Sequence, residues 1–394
     1  MKKTRLAIVG ATGLVGRTVL KVLEEKNLPI SEYVLFASSK SAGKKIDFMG
    51  KKYIVQELND LSFDSGFDYA IFSAGGSTAK KYAPIAASKG CIVVDNSSAF
   101  RMDDDVPLVV PEVNPEEIDN NHGIIANPNC STIQAVVALK PLDDKYRIKR
   151  IVYSTYQAVS GAGRNGVLDL ENGIKNYITN KSYINQSYGE NNIINNLNNN
   201  DFSYDLKKFD YPIFSNCLPH IDVFLGNGYT KEEEKMINET RKILKKPNLK
   251  ITATTVRVPV FNCHSESINV EFEEDFEIND LVKTLSEFPG IIVQDDVKDS
   301  IYPLATKASD HDEVFVGRIR RDNSVKSGIN LWVVADNIRK GAATNAVQIV
   351  EKMLTWTLEL EQKGHSFLFK FKFKFQLFQK SIYYLFFCFL FCKT

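Results

Sequence analysis

The chain has 394 residues, enough for two domains with a well-buried core. Its 49 Lys and Arg against 48 Asp and Glu leave a formal charge of +1, a balance that argues against a nucleic-acid or acidic-polymer partner. Six scattered cysteines, with no CxxC pair, exclude a disulfide scaffold and a zinc centre of that type, and they place the chain in a reducing, cytoplasmic compartment.

The N-terminus runs directly into a short apolar strand at residues 6–9, too short for a signal-peptide core. Further apolar runs predict strands at 33–37, 69–73, 92–94, 108–110 and 124–126. Amphipathic helices are expected at 14–26 and 79–89. Fully apolar strands alternating with helices read as a parallel, doubly wound α/β sheet of the Rossmann type over residues 1–129.

Between the first strand and first helix lies Gly10-Ala11-Thr12-Gly13-Leu14-Val15-Gly16. Glycines at that spacing let a pyrophosphate approach the backbone at the positive end of a helix. NAD-binding folds usually end the second strand with a carboxylate for the ribose. Here Ser38-Ser39-Lys40-Ser41 follows it, hydroxyls and a cation that suit a 2′-phosphate, so NADP is the expected cofactor.

Asn127-Pro128-Asn129-Cys130-Ser131-Thr132 opens the next helix, expected at 133–140. A lone cysteine is usually a small buried hydrophobe. This one stands among polar residues and prolines at a helix N-terminus, where the dipole lowers a thiol pKa, so Cys130 reads as a nucleophile.

The pattern then changes. Long strands at 148–157, 251–259, 266–272, 314–320 and 329–335 are interrupted by helices at 164–178, 231–244 and 279–286. This predicts a mixed α+β domain for catalysis and dimerisation over residues 130–336. A helix at 337–361 is long enough to return to the first domain, giving a third segment at 337–363. The Asn-rich run at 191–200 reads as a mobile surface loop. From residue 364 the composition breaks: ten of the 25 phenylalanines and five lysines, but no acid, lie in the tail. Its apolar stretch at 382–392 is too short to span a bilayer, and we read the tail as foreign to the body, a translated accident rather than a membrane anchor.

Three motifs together resemble aspartate-β-semialdehyde dehydrogenase: Asn-Pro-Asn-Cys-Ser-Thr, Gln157-Ala158-Val159-Ser160-Gly161-Ala162-Gly163, and Arg257-Val258-Pro259-Val260 followed by His264-Ser265-Glu266. The resemblance runs from about residue 4 to 361. It implies that Cys130 attacks the acyl phosphate of L-4-aspartyl phosphate, with His264 as general acid-base. It implies Arg257 on the substrate carboxylate, Gln157 orienting the substrate, Arg101 and Lys235 on the phosphate, and Glu232 on the amino group. Ser160, Gly161 and Asn337 would touch the cofactor. The implied substrates are small molecules, aspartyl phosphate and, in reverse, phosphate with aspartate semialdehyde; a homodimer is implied, with no metal, nucleic acid or membrane.

Cys263 stands where that family often has glycine, and Lys40 where arginine is frequent. An N-acetyl-γ-glutamyl-phosphate reductase shares the architecture but usually carries Pro-Gly-Cys. A non-enzymatic NADP-binding redox sensor would not need Arg257, Lys235 and Arg101 together.

Overall fold

The computed structural model describes residues 4–179 and 205–362, without side chains for the last five; the Asn-rich run and the Phe-rich tail lie outside these residues. A parallel sheet forms from β1 (Arg5–Val9), β2 (Glu32–Ala37), β5 (Gln56–Glu57), β6 (Tyr69–Phe72), β7 (Ile92–Asp95) and β8 (Ile124–Ala126), in the order β5-β2-β1-β6-β7-β8. The apolar runs are buried on both faces; Ala7, Ile8, Val9, Ile71 and Phe72 are wholly excluded from solvent. Helices α1 (Leu14–Lys26) and α2 (Gly76–Ser88) provide the crossovers. Because β2 and β6 flank β1, the chain reverses its winding direction there. The Gly10–Gly16 loop therefore sits at the switch point where such sheets bind ligands.

A two-stranded ribbon of β3 (Lys45–Phe48) and β4 (Lys51–Ile54) was not expected from the sequence. The expected strand at 108–110 is not formed. Only Leu108 bridges to Ala126, because the Asn114 side chain bonds both Val110 N–H and Leu108 C=O and turns the chain away.

Helix α3 (Cys130–Tyr146) follows β8 and is longer than expected, starting three residues earlier. Asn129 caps it, its Oδ1 accepting from Ser131 and Thr132 N–H. The second sheet contains β9 (Ile148–Gln157), β10 (Lys250–Arg257), β11 (His264–Phe272), β12 (Ile291–Val293), β13 (Val314–Arg321) and β14 (Gly328–Ala335), in the order β10-β9-β11-β14-β13-β12. Pairing is mixed: β9 with β10 is parallel, whereas β11 is antiparallel to both β9 and β14. Strand β11 alternates buried and half-buried residues. Its inner face packs Ile268, Val270 and Phe272 against α3, α5 (Lys231–Ile243) and α6 (Ile278–Ser286). Helix α4 (Gly163–Thr179) follows β9.

After β14, a single helix from residue 337 was expected. A π-helical turn occupies Arg339–Thr344, and the regular helix α7 (Asn345–Gln362) starts only after it. Asp336 makes the turn: its side chain accepts from Ile338 and Arg339 N–H, and its C=O from Gly341 N–H. Arg339 then pairs with Glu25 of α1, Asp310 and Asp312, tying this turn to the first sheet's leading helix. Among the described residues no helix is long and apolar enough to cross a membrane.

Candidate active site

Cys130 is the first residue of α3, and its Sγ lies 3.2 Å from His264 Nε2, at the start of β11. The register of β9, β10 and β11 brings Gln157, Arg257 and His264 to one sheet edge. Cys130, Gln157 and Arg257 line a cleft of about 510 Å³ with Arg101, Glu232, Lys235, Ser160, Gly161, Asn337 and Val15, and His264 lies fully buried behind Cys130.

The proton positions follow from geometry. The Ala158 backbone N–H donates to His264 Nδ1 at 3.0 Å. A backbone amide can only donate, so Nδ1 is bare and Nε2 carries the ring proton toward Cys130. Burial, then the nearby Arg257 guanidinium, push the His264 pKa well below 6.5, which agrees with a ring held neutral. The ring is thereby a hydrogen-bond donor to Cys130; either half of the acid-base role requires giving up the Ala158 bond, because loss of the Nε2 proton from the neutral ring would leave an imidazolate. Ala158 has φ −65, which proline adopts without strain. Ala158→Pro should therefore remove the N–H and let the ring accept a second proton. Its expected result is faster alkylation of Cys130 near neutral pH, as an imidazolium then faces the thiol; an unchanged rate would contradict the tautomer.

The thiol departs from the sequence expectation. Burial, then the Glu232 carboxylate, push Cys130 up to about 11; Arg257, Arg101 and the Ser131 N–H pull the other way without overcoming them. The helix end alone does not produce a resting thiolate.

Each charged side chain is tethered. Arg257 is buried; its Nη1 donates to Ala158 C=O at 2.8 Å, and its Nε has no partner among the described residues. Glu232 Oε1 accepts from Asn129 Nδ2 and Gln157 Nε2, while Oε2 faces Lys235 at 3.1 Å. Burial alone would raise the Glu232 carboxyl, but Lys235 and these amides hold it below its usual value. Lys235 also pairs with Asp222 at 2.8 Å. Helix α5 supplies Glu232 and Lys235 from one face, its start fixed by reciprocal Thr230–Glu233 bonds. Arg101 donates to Asn127 C=O, Asn96 C=O and Glu239, and Glu239 in turn accepts from Asn129 N–H.

Glycines close the site. A Cβ at Gly161 would fall 2.8 Å from Arg257 Nη1 and 3.1 Å from His264 Cε1. One at Gly341 would fall 2.8 Å from Cys130 Cβ. Gly341→Ala should displace Cys130 and lower kcat by about 100-fold, with normal cofactor binding by fluorescence titration. Cys263 has φ 71, the left-handed region where glycine is at ease. Its N–H is held by Asn337 Oδ1, and Ser160 Oγ bonds the same Asn337.

The Gly10–Gly16 loop reaches the cleft through Val15. Gly10 has φ 88, and a Cβ there would fall 2.7 Å from Ser73 C=O; Gly16 packs against the Gly10 carbonyl. Gly13 precedes α1 and Thr12 is half-buried; Leu14 is exposed, while Val15 reaches the cleft. Ser38, Ser39, Lys40 and Ser41 form an exposed turn past β2, outside the cleft lining, and no carboxylate among the described residues pairs with Lys40. No group of three or more His, Cys, Asp or Glu side chains suited to a metal occurs among the described residues.

The sequence reading missed Glu239, Asp222, Lys208 and Gly341. Glu239 had a signal, since it lies seven residues after Glu232 on the same helix face. Asp222 and Lys208 reach the cleft from irregular chain, where no periodicity marks them.

Comparison with known proteins agrees across methods. Residues 5–121 match the family model "Semialdehyde dehydrogenase, NAD binding domain", and residues 139–340 match "Semialdehyde dehydrogenase, dimerisation domain". The chain is 54% identical to aspartate-semialdehyde dehydrogenase of Aquifex aeolicus, over 89% of this chain and 98% of that one. It is 47% identical to that of Campylobacter jejuni, over 92% and 99%. Among solved structures, aspartate semialdehyde dehydrogenase II of Vibrio cholerae superposes with a TM-score of 0.80 at 45% identity, covering 90% of this chain and 99% of that one. The NADP complex of the Candida albicans enzyme gives a TM-score of 0.66 at 25% identity, covering 89% and 98%.

Proposed function

The chain belongs to the aspartate-semialdehyde dehydrogenase family, and from that premise we propose that it carries out NADPH-dependent reductive dephosphorylation of L-4-aspartyl phosphate to L-aspartate 4-semialdehyde. The product would feed lysine, threonine and methionine synthesis. The observation that carries this reading is the Cys130–His264 pair at 3.2 Å, with Cys130 lining a cleft that Arg257, Arg101 and Lys235 also line. An acyl phosphate with a carboxylate has two anionic ends, and these cationic side chains suit them.

In this reading Cys130 attacks the acyl carbon as the thiolate, its proton passing to the phosphate group that leaves. The carbon–oxygen bond breaks, phosphate leaves toward Arg101 and Lys235, and a thioester remains. Arg257 holds the α-carboxylate through its fork, Glu232 the ammonium group, and Gln157 the carbonyl. His264 Nε2–H donates to the oxyanion that develops on the carbonyl oxygen, and the tetrahedral species then expels the thiolate to release the aldehyde.

The residues fit a nicotinamide dinucleotide: Gly10 makes a turn that no side chain could take against the Ser73 carbonyl, and Gly13 leaves the positive end of α1 without a side-chain cap. Gly10, Thr12, Gly13, Leu14, Val15 and Gly16 would hold the pyrophosphate. Ser38, Ser39, Lys40 and Ser41 would take the 2′-phosphate, and Ser160, Gly161 and Asn337 the nicotinamide end. When bound, NADPH supplies the two electrons of the reduction. With Lys40 lacking a carboxylate partner among the described residues and no acid at the turn, NADP should be preferred over NAD by at least about tenfold in kcat/KM, the worth of one charge-assisted contact; equal values would remove the assignment.

We assign self-association to the outer face of the second sheet, where Tyr156 and Trp332 pack together and Tyr302 and Leu304 are exposed, giving a homodimer. The test of the function is reverse turnover: NADP, phosphate and aspartate semialdehyde should yield NADPH with strict dependence on phosphate. Activity with N-acetylglutamate semialdehyde instead would assign the related reductase chemistry.

A further inference from the structure

Glu266 is completely buried on β11, and neither carboxyl oxygen has a hydrogen-bond partner among the described residues. It lies two residues after His264, so both side chains leave the same face of the strand. Across the sheet it faces Thr155 of β9 and Val333 of β14. A buried carboxylate without a partner is costly, whereas the neutral acid is tolerated and owns a proton to donate.

Helix α3 packs over that face. Its Gln134, also completely buried, donates Nε2 to the His264 backbone carbonyl at 3.3 Å, and its Oε1 has no donor among the described residues. Gln134 thus links the helix headed by Cys130 to the strand headed by His264. One buried amide lacks a donor, and a buried acid two residues from its anchor lacks an acceptor.

We propose that Glu266 is a positioning residue for the reacting pair: its carboxyl O–H donates to Gln134 Oε1 and so locks α3 against the start of β11. This rests on the reading of Cys130 and His264 as that pair. The ionisable groups around this face are Glu232 from α5, Tyr153 from β9, Arg257 from β10, Cys130 at the head of α3 and His264 on the same strand; β14 contributes only Val333 and Ala335. Burial, then repulsion from Glu232, hold the Glu266 pKa well above 4.5, in agreement with an acid that keeps its proton.

The test compares full-length wild type with Glu266→Gln and Glu266→Leu. The glutamine amide also donates to Gln134, so Glu266→Gln should retain kcat within about twofold. Glu266→Leu should lose about tenfold or more in kcat with unchanged KM for phosphate and semialdehyde. The pH dependence of Cys130 alkylation should shift in Glu266→Leu and stay in place in Glu266→Gln. Infrared difference spectra at neutral pH should show a protonated carboxyl band that disappears in Glu266→Gln. Absence of that band, equal impairment of a folded Glu266→Gln, or native kcat in Glu266→Leu would each overturn the proposal. If Glu266→Leu does not fold, the band and Glu266→Gln still decide it. If wild type fails to turn over the semialdehyde, the functional reading falls, while the band and the alkylation profile still report on Glu266.

Discussion

Cys130→Ala is expected to abolish turnover, by at least about 1,000-fold, because among the described residues no other thiol lines the cleft to form the proposed acyl-enzyme. NADP binding should persist, since the Gly10–Gly16 loop and the turn after β2 belong to the first sheet. Isothermal titration with NADP, beside steady-state rates, separates the two effects. Substantial residual activity would refute a covalent route. The wild-type thiol also makes a signed prediction. Its raised pKa of about 11 keeps it protonated at neutral pH, so alkylation of the unliganded enzyme should accelerate by about tenfold per pH unit through the range below that value. Glu232→Gln removes a charge that raises the thiol pKa and should speed alkylation at fixed pH; slower alkylation would mean the sign is wrong.

Arg257→Lys should raise the semialdehyde KM by about 10- to 100-fold while changing the phosphate KM little. The guanidinium is anchored by one nitrogen on the Ala158 carbonyl, and its remaining donors keep a fixed direction. A lysine ammonium has no such fork, so it cannot hold that anchor and clamp a planar carboxylate with the same orientation. Lys235→Ala and Arg101→Ala should show the converse, with higher phosphate KM and nearly native semialdehyde KM. An inverted pattern would mean that the carboxylate and phosphate ends of the cleft are exchanged. Arg101→Ala carries a second cost, because it strands Glu239, which also holds the Asn129 N–H at the cap of the nucleophile's helix.

Much of this architecture was legible because strong local signals agreed with it. Apolar runs such as that at β1 and β6 left no alternative to a doubly buried strand, and β9 was read with its observed limits. Side-chain identity marked Cys130, His264 and Arg257, and the register of three strands brings these together. What escaped the reading depends on long-range geometry. The 108–110 run is apolar enough for a strand, yet one asparagine side chain captures its backbone groups. The π-helical turn at Arg339–Thr344 is set by Asp336 and by the need to seat Gly341 against Cys130, two constraints absent from helical periodicity. The thiol was expected to be acidic from its helix position; burial and Glu232, 102 residues away in sequence, reverse that.

The amide at residue 158 also decides how protons flow through a turnover. A second proton on His264 would set two N–H groups head to head, so the imidazole enters and leaves each cycle with one. It acts as a fixed dipole and not as a shuttle: it lends the Nε2 proton to thiolate or oxyanion without surrendering it. Under the proposed route, acylation and aldehyde release need no proton relay through the ring. The thiol proton departs with the inorganic phosphate, and the proton consumed by the net reaction restores the Cys130 thiol.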